Sequence, residues 1–172
     1  MPQTSITPEG QAFAGMLADA GYKDTVTGVN LEASAEMRFG IAVKQHATKK
    51  DGAQLITAVT SRLKGIVQHN HWFAKPEELG DIGLKPKTTL GLLRKGRIWV
   101  PVEAQPAALT DEVHVRAVAS GGNTIIGAFT PTAEADATID ITPFASWVDL
   151  GSSGIACIEV DFPNSALATA DA

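Results

Sequence analysis

The sequence predicts a mainly β fold: one compact β-barrel or jelly-roll-like sandwich of short antiparallel strands, with an N-terminal arm. Three observations carry this. Apolar residues alternate with polar ones in short runs, the period of a half-buried strand. Sixteen glycines and nine prolines punctuate the chain, while a 44% hydrophobic content is too high for disorder. No helix-period stretch is long enough to cross between parallel strands, which excludes a doubly wound sheet. A length of 172 residues suits a single domain with a real core. The expected organisation is an arm over residues 1–27, a β domain over 28–162 and a flexible tail over 163–172.

The strongest strand signal is TTLGLLRKGRIWVPVE, residues 88–103. A basic insert, Arg94-Lys95-Gly96-Arg97, separates two apolar runs, and Ile98-Trp99-Val100 is rich in β-branched and aromatic side chains. This predicts two strand segments joined at Gly96 by a turn or a bulge, because glycine tolerates backbone angles other residues resist. Pro101 lacks the amide proton a ladder needs, so the second segment ends there or runs along an edge.

In the arm, Thr7 and Pro8 suit the cap and first position of a short helix, with Phe13, Met16 and Leu17 at helical spacing before Gly21. So short a helix needs a surface, either its own domain or a neighbour. Strands are then expected around Val29–Ala33, Arg38–Lys44, Leu55–Val59 and Leu63–Gln68, with Lys49-Lys50-Asp51-Gly52 as a turn between the second and third. Residues 74–87 form a loop whose Leu79, Ile82 and Leu84 fold back on the body or touch a partner. Glu112–Val118 alternates cleanly, with Val113, Val115 and Ala117 on the inner face and His114 on the polar side. Gly121-Gly122-Asn123 turns the chain, Thr124–Phe129 gives another strand, and acidic Thr130–Asp140 reads as a solvated loop. Trp147–Leu150 leads through Gly151–Gly154 into a central closing strand, Gly154–Asp161.

Charge is segregated under a net −5. Residues 1–43 hold two basic and five acidic side chains, residues 44–97 eleven and four, and residues 98–172 one and ten. Opposite segments complement one another within a subunit, between copies or against another protein. The basic residues are dispersed with few aromatics between them, so direct nucleic-acid binding is not expected. No stretch is apolar enough to span a bilayer, and the polar N-terminus lacks a signal-peptide pattern. The single cysteine, Cys157, sits in a strand-like apolar setting and reads as an inert core thiol.

The one cluster with catalytic character is His69-Asn70-His71, with His46 upstream and Glu77 or Glu78 downstream. Residues two apart on a strand share a face, so the pair has metal-ligand geometry. The spacing nevertheless misses the cupin pattern of glycine, His-x-His, nearby Glu and later His. Gly151-Ser152-Ser153-Gly154 is not a nucleophile elbow, and Leu90–Gly96 lacks the ending of a phosphate-binding loop. No catalytic residue, metal or cofactor is therefore assigned. Among the aromatics, Trp99 is expected in the core, Trp72-Phe73 on opposite faces or both in the core through a bulge or turn, and Trp147 as either a core lid or an interface anchor.

Several pieces together resemble a known family. Phe39-Gly40-Ile41-Ala42-Val43 precedes a charged hairpin, and Gly65-Ile66-Val67 precedes the long loop carrying Leu79. Residues 90–103 lead into Thr110–Arg116, and a Gly-rich turn precedes Gly154–Val160. In order and spacing these resemble the structural cement, or capsid decoration, proteins of tailed bacteriophages, over residues 28–162. The resemblance implies a non-enzymatic protein on the outer surface of the virion capsid, made in the host cytoplasm. It also implies major capsid protein as partner and a homo-oligomer, a trimer before a dimer. The interface candidates are Arg94, Lys95, Arg97, Trp72, Leu79, Ile82, Phe13, Met16 and Leu17. Two other readings stand beside it: a cupin-like metal-binding β-barrel enzyme, and a carbohydrate-binding β-sandwich using Trp72 or Trp147.

Overall fold

Ten short strands are present in the computed structural model, which describes residues 12–19, 21, 23–33, 37–69 and 84–163. They are β1 (Asp24–Asn30), β2 (Ala42–Gln45), β3 (Gly52–Gln54), β4 (Leu63–Val67), β5 (Thr89–Pro101), β6 (His114–Arg116), β7 (Phe129–Thr130), β8 (Thr138–Asp140), β9 (Ala145–Ser152) and β10 (Ile155–Asp161). Seven pair in the order β1-β3-β2-β4-β5-β10-β9, and β5 also pairs with β1, so five strands close into a barrel. The pairs are antiparallel except β1 with β3. β6, flanked by β7 and β8, forms a separate small sheet. The mainly β expectation holds, and among the described residues the helical content is one 3-10 turn, Thr142–Phe144.

β5 is one unbroken strand of 13 residues, which corrects the expected break at Gly96. Against β10 its register runs without interruption from Lys95↔Asp161 to Pro101↔Ile155. Against β1 the register slips between Asp24↔Lys95 and Thr25↔Leu93, leaving Arg94 as the extra residue. The bulge thus lies at Arg94, and Gly96 just beyond carries a φ of 128°. A one-residue insertion exchanges the faces of a strand. Accordingly Leu90 and Leu92 point into the barrel, whereas Ile98 and Val100, also at even positions, enter the other core. The strand ends at Pro101, as its missing amide requires.

Two cores follow from this geometry. Inside the barrel lie Met37, Ile41, Val43, Val67, Leu84 and Leu92, among others. The second core packs Ile66, Leu93, Ile98 and Ile158 against Val115, Phe129 and Ile139 of the small sheet. Neighbours such as Ile66 and Val67 face opposite ways, so β4 and β5 are apolar on both faces. β10 lies between β5 and β9, the central position expected for it. Trp147 belongs to the core, its Nε1 donating to the Glu112 carbonyl at 3.1 Å.

Four further expectations are corrected. The third strand is Gly52–Gln54 and not Leu55–Val59. The Lys49–Gly52 turn closes so tightly (Gly52 N to Lys49 O, 3.0 Å) that pairing begins at once, and Leu55 and Ile56 are buried outside the ladder. Thr124–Phe129 is largely a turn around Gly127 at φ 84°, with β7 starting only at Phe129. Residues 130–140 include β8, held in the core by Ile139. Trp99 is only half-buried, because Ile98 and Val100 take the core face.

The polar side of β6 is also buried, contrary to its expected solvent exposure. His114 is nearly enclosed beside Glu112 (Nε2 to Oε2, 3.1 Å). Arg116 is 0% exposed, and its guanidinium forks onto two carboxylates. Nε and Nη2 donate to Glu103 at 2.7–3.1 Å, and Nη1 and Nη2 to Glu134, both at 2.7 Å. These bonds push the guanidinium pKa up, Glu134 being the larger cause, and hold the Glu134 carboxyl below its usual range. A buried charge is tolerated only with such saturation.

Arg116→Leu strands Glu103 without its cation, so it should lower unfolding free energy by about 3–5 kcal/mol, read from urea midpoints. The Arg116–Glu134 contribution should be complete above the ordinary carboxylate range of about 4.3 and fade as pH falls through the depressed folded value. In Glu134→Gln that part of the acid-side decline should be absent.

Candidate functional site

The basic insert of β5 is already engaged with β10. Lys95 Nζ meets Asp161 Oδ2 at 2.6 Å and Arg97 Nε meets Glu159 Oε2 at 2.8 Å. The Glu159 hydrogen bond is the main reason the Arg97 pKa is raised. Arg94, at the bulge, donates through Nη2 to the carbonyls of Phe162 and Pro163. The antiparallel register sets Lys95 opposite Asp161 and Arg97 opposite Glu159, giving a ladder of alternating charge on the surface.

The arm segment is extended where a helix was expected. Met16 N bonds Phe13 O (3.1 Å) in a turn, and Gly15 adopts φ 84°, which no helix contains. The chain then runs beside β5: Gly15 N to Trp99 O is 2.7 Å, Trp99 N to Met16 O 2.9 Å and Ala18 N to Arg97 O 3.0 Å. Both main-chain groups of Trp99 turn to the arm, so the arm occupies the edge that β10 leaves open. Leu17 packs on the second core, while Phe13 is 40% exposed. Two glycines shape this seat: a Cβ on Gly40 would lie 2.8 Å from Gly15 N, and one on Gly15 2.8 Å from His69 N. His69 holds the arm further, donating its N–H to Gly15 O at 2.9 Å, with its ring 4.6 Å from both Phe13 and Phe39.

At one mouth of the barrel lies a cavity of about 780 Å³, lined by all five barrel strands or the turns joining them. Lys49, Lys50, Arg62, Lys64 and Arg94 line it, with Asp51 the sole acid among the described lining residues. Burial lowers the Lys64 pKa, partly offset by Asp51, and its Nζ donates to the carbonyls of Lys50 and Gly52. His46 Nδ1 accepts the amides of Thr48 and Lys49, which directs Nε2–H away from the turn.

The structure thus brings Arg94, Lys95 and Arg97 together on β5 and places Phe13, Met16 and Leu17 beside that strand's second half. Trp72, Leu79 and Ile82 lie outside the described residues, as do His71, the Thr7–Pro8 cap and residues 164–172. Among the described residues no group of three or more His, Cys, Asp or Glu is placed to hold a metal. Cys157 is buried, and burial foremost pushes its thiol up to about 11, far from a nucleophile's range. The Arg116 cluster went unrecognised in the sequence. Its one signal was Arg116 as the lone cation in residues 98–172.

A family model described as "Structural cement protein (E217 gp24/Pam3 gp6)" matches residues 1–161. The chain belongs to this structural cement protein family. Membership places the protein among capsid-associated virion components whose role is structural and not enzymatic. The cement protein also shares its fold with a chain of a structure titled "The capsid of Myoviridae Phage XM1", at TM-score 0.64 and 14% identity, over 86% of this chain and 89% of that one. No curated protein matches it in sequence.

In the cement protein, Gly40→Ala should loosen the arm, because the new methyl meets backbone at 2.8 Å and φ 79° is strained for alanine. Hydrogen exchange should accelerate at the Trp99 and Ala18 amides, with protection in the β10 ladder retained.

Proposed function

We propose that this protein docks on the outer face of an assembled phage head and bridges neighbouring major capsid subunits without a catalytic step. The observation that carries the reading is the cement-family match across residues 1–161. The fold supports it: β5 is locked on both edges, which gives a stiff body whose use lies in its surface. We further infer a homo-oligomer, a trimer before a dimer, made in the host cytoplasm before it reaches the head.

Contacts are assigned to Arg94, Lys95 and Arg97, to Trp72, to Leu79 and Ile82, and to the arm through Phe13, Met16 and Leu17. The β5 cations suit this although they have partners within the chain. Exposed ion pairs contribute only about 0–1 kcal/mol each, so re-pairing across an interface costs little. Residues 13–18 are seated on their own domain, which leaves residues 1–11 as the segment for a strap.

Co-sedimentation with purified heads tests the reading, and a chain that ignores intact heads would end it. The triple change Arg94→Ser, Lys95→Ser and Arg97→Ser should weaken head binding at least about tenfold and flatten its salt dependence. Deleting residues 2–11 should reduce occupancy while leaving the Gly15–Gly40 seat, and hence the fold, intact. Full occupancy after that deletion would remove the strap.

A further inference from the structure

We infer that the basic barrel mouth is a docking socket for a second copy of this chain, and that the acidic end of the small sheet, carrying Glu112 and Asp140, is what enters it. The inference deepens the homo-oligomer part of the proposed function by naming its two surfaces.

The mouth concentrates cations, of which Lys64 and Arg94 are held by main-chain carbonyls. Five lysine and arginine side chains line one cavity against a single aspartate. Among the described residues, Lys49, Lys50 and Arg62 form no ion pair, and both lysines lie on an exposed turn. Lys64 is held by carbonyl oxygens and gains only a distant attraction from Asp51. A barrel mouth with converging donors is a favoured place for a ligand group to sit.

The complementary surface is on the same molecule. Arg116 is the only basic residue after Arg97, and it is fully buried. Every charge displayed by residues 98–163 is therefore negative. Glu112, 67% exposed, stands at the head of β6, and Asp140 is paired across from His114 on β8, so the two acids share one end of the small sheet. No ion pair among the described residues joins the mouth to this sheet; within the subunit Glu112 meets the buried His114 and Asp140 Oδ1 accepts the Thr142 amide.

Two different patches that complement each other make a heterologous, head-to-tail contact, and such contacts close into rings when the rotation permits. Nucleic acid is the other polyanion a basic socket takes, but among the described residues lining the mouth there is no Phe, Tyr or Trp for base stacking, and the acidic end of the small sheet would repel phosphates.

The test is a charge exchange on the full chain. Mass is measured by sedimentation equilibrium in about 50 mM and about 500 mM sodium chloride, which brackets strong and weak screening. The wild-type chain should be oligomeric at low salt and dissociate at high salt. Lys49→Glu/Lys50→Glu and Glu112→Lys/Asp140→Lys, each checked for a native circular-dichroism spectrum and cooperative melting, should each weaken self-association at least tenfold. An equimolar mixture of the two variants should recover it, because each then offers the other an opposite surface.

A wild-type chain that stays monomeric at low salt would overturn the inference, as would an oligomer indifferent to salt or a mixture that stays dissociated. Binding of duplex DNA that is lost in Lys49→Glu/Lys50→Glu, with no effect on mass, would assign the mouth to nucleic acid instead. Head co-sedimentation of the wild-type chain separates the two readings. A wild-type monomer that binds heads keeps the cement function and ends the socket, whereas a salt-sensitive wild-type oligomer that ignores heads does the reverse.

Discussion

The backbone of β5 has hydrogen-bonding groups on both edges along 13 residues, and in a dry interior each one needs a partner. The rest of the fold can be read as the means of supplying them. β1 and β4 take the first half and thereby close the barrel, while β10 and the arm take the second half. One strand thus belongs to two bodies. The extra residue at Arg94 reconciles them, because it exchanges the strand's faces between the barrel interior and the core beneath the small sheet.

This arrangement explains why, among the described residues, buried polar side chains are few and each has a hydrogen-bond partner. The small sheet lies over the second core with its apolar face, and its opposite, polar side at His114 and Arg116 is buried as well. Arg116 resolves the conflict by drawing Glu103, just past the end of β5, and Glu134, from the loop before β8, onto a single guanidinium. Buried ion clusters contribute little net stability beside an apolar alternative, but mispairing one is expensive. The cluster's effect here is positional: it fixes how the small sheet sits on the larger one.

For a protein that acts by occupying surface, stiffness and charge placement are the functional variables. The arm does not float beside the barrel but completes the β5 edge, through a contact so close that it needs glycine on both sides. Among the described residues, exposed charges include the β5–β10 ladder, the cationic mouth and Glu112 at the end of the small sheet. None of the three is assembled for bond-making chemistry. Each is suited to meeting another protein, the role that the cement family performs.

Alternation, turn residues and charge segregation were legible in the chain alone, so the mainly β class, strands β2, β4, β6 and β10, and the family resemblance could all be read from it. These are local properties, set by the two-residue period of a strand and by glycine's freedom at turns. Which faces became buried was not local. Helical spacing at Phe13, Met16 and Leu17 yielded to an open strand edge, the polar side of β6 became an interior, and Arg94 displaced Gly96 as the irregular residue. In each case the deciding partner lies far along the chain, and only three-dimensional packing brings it within bonding distance.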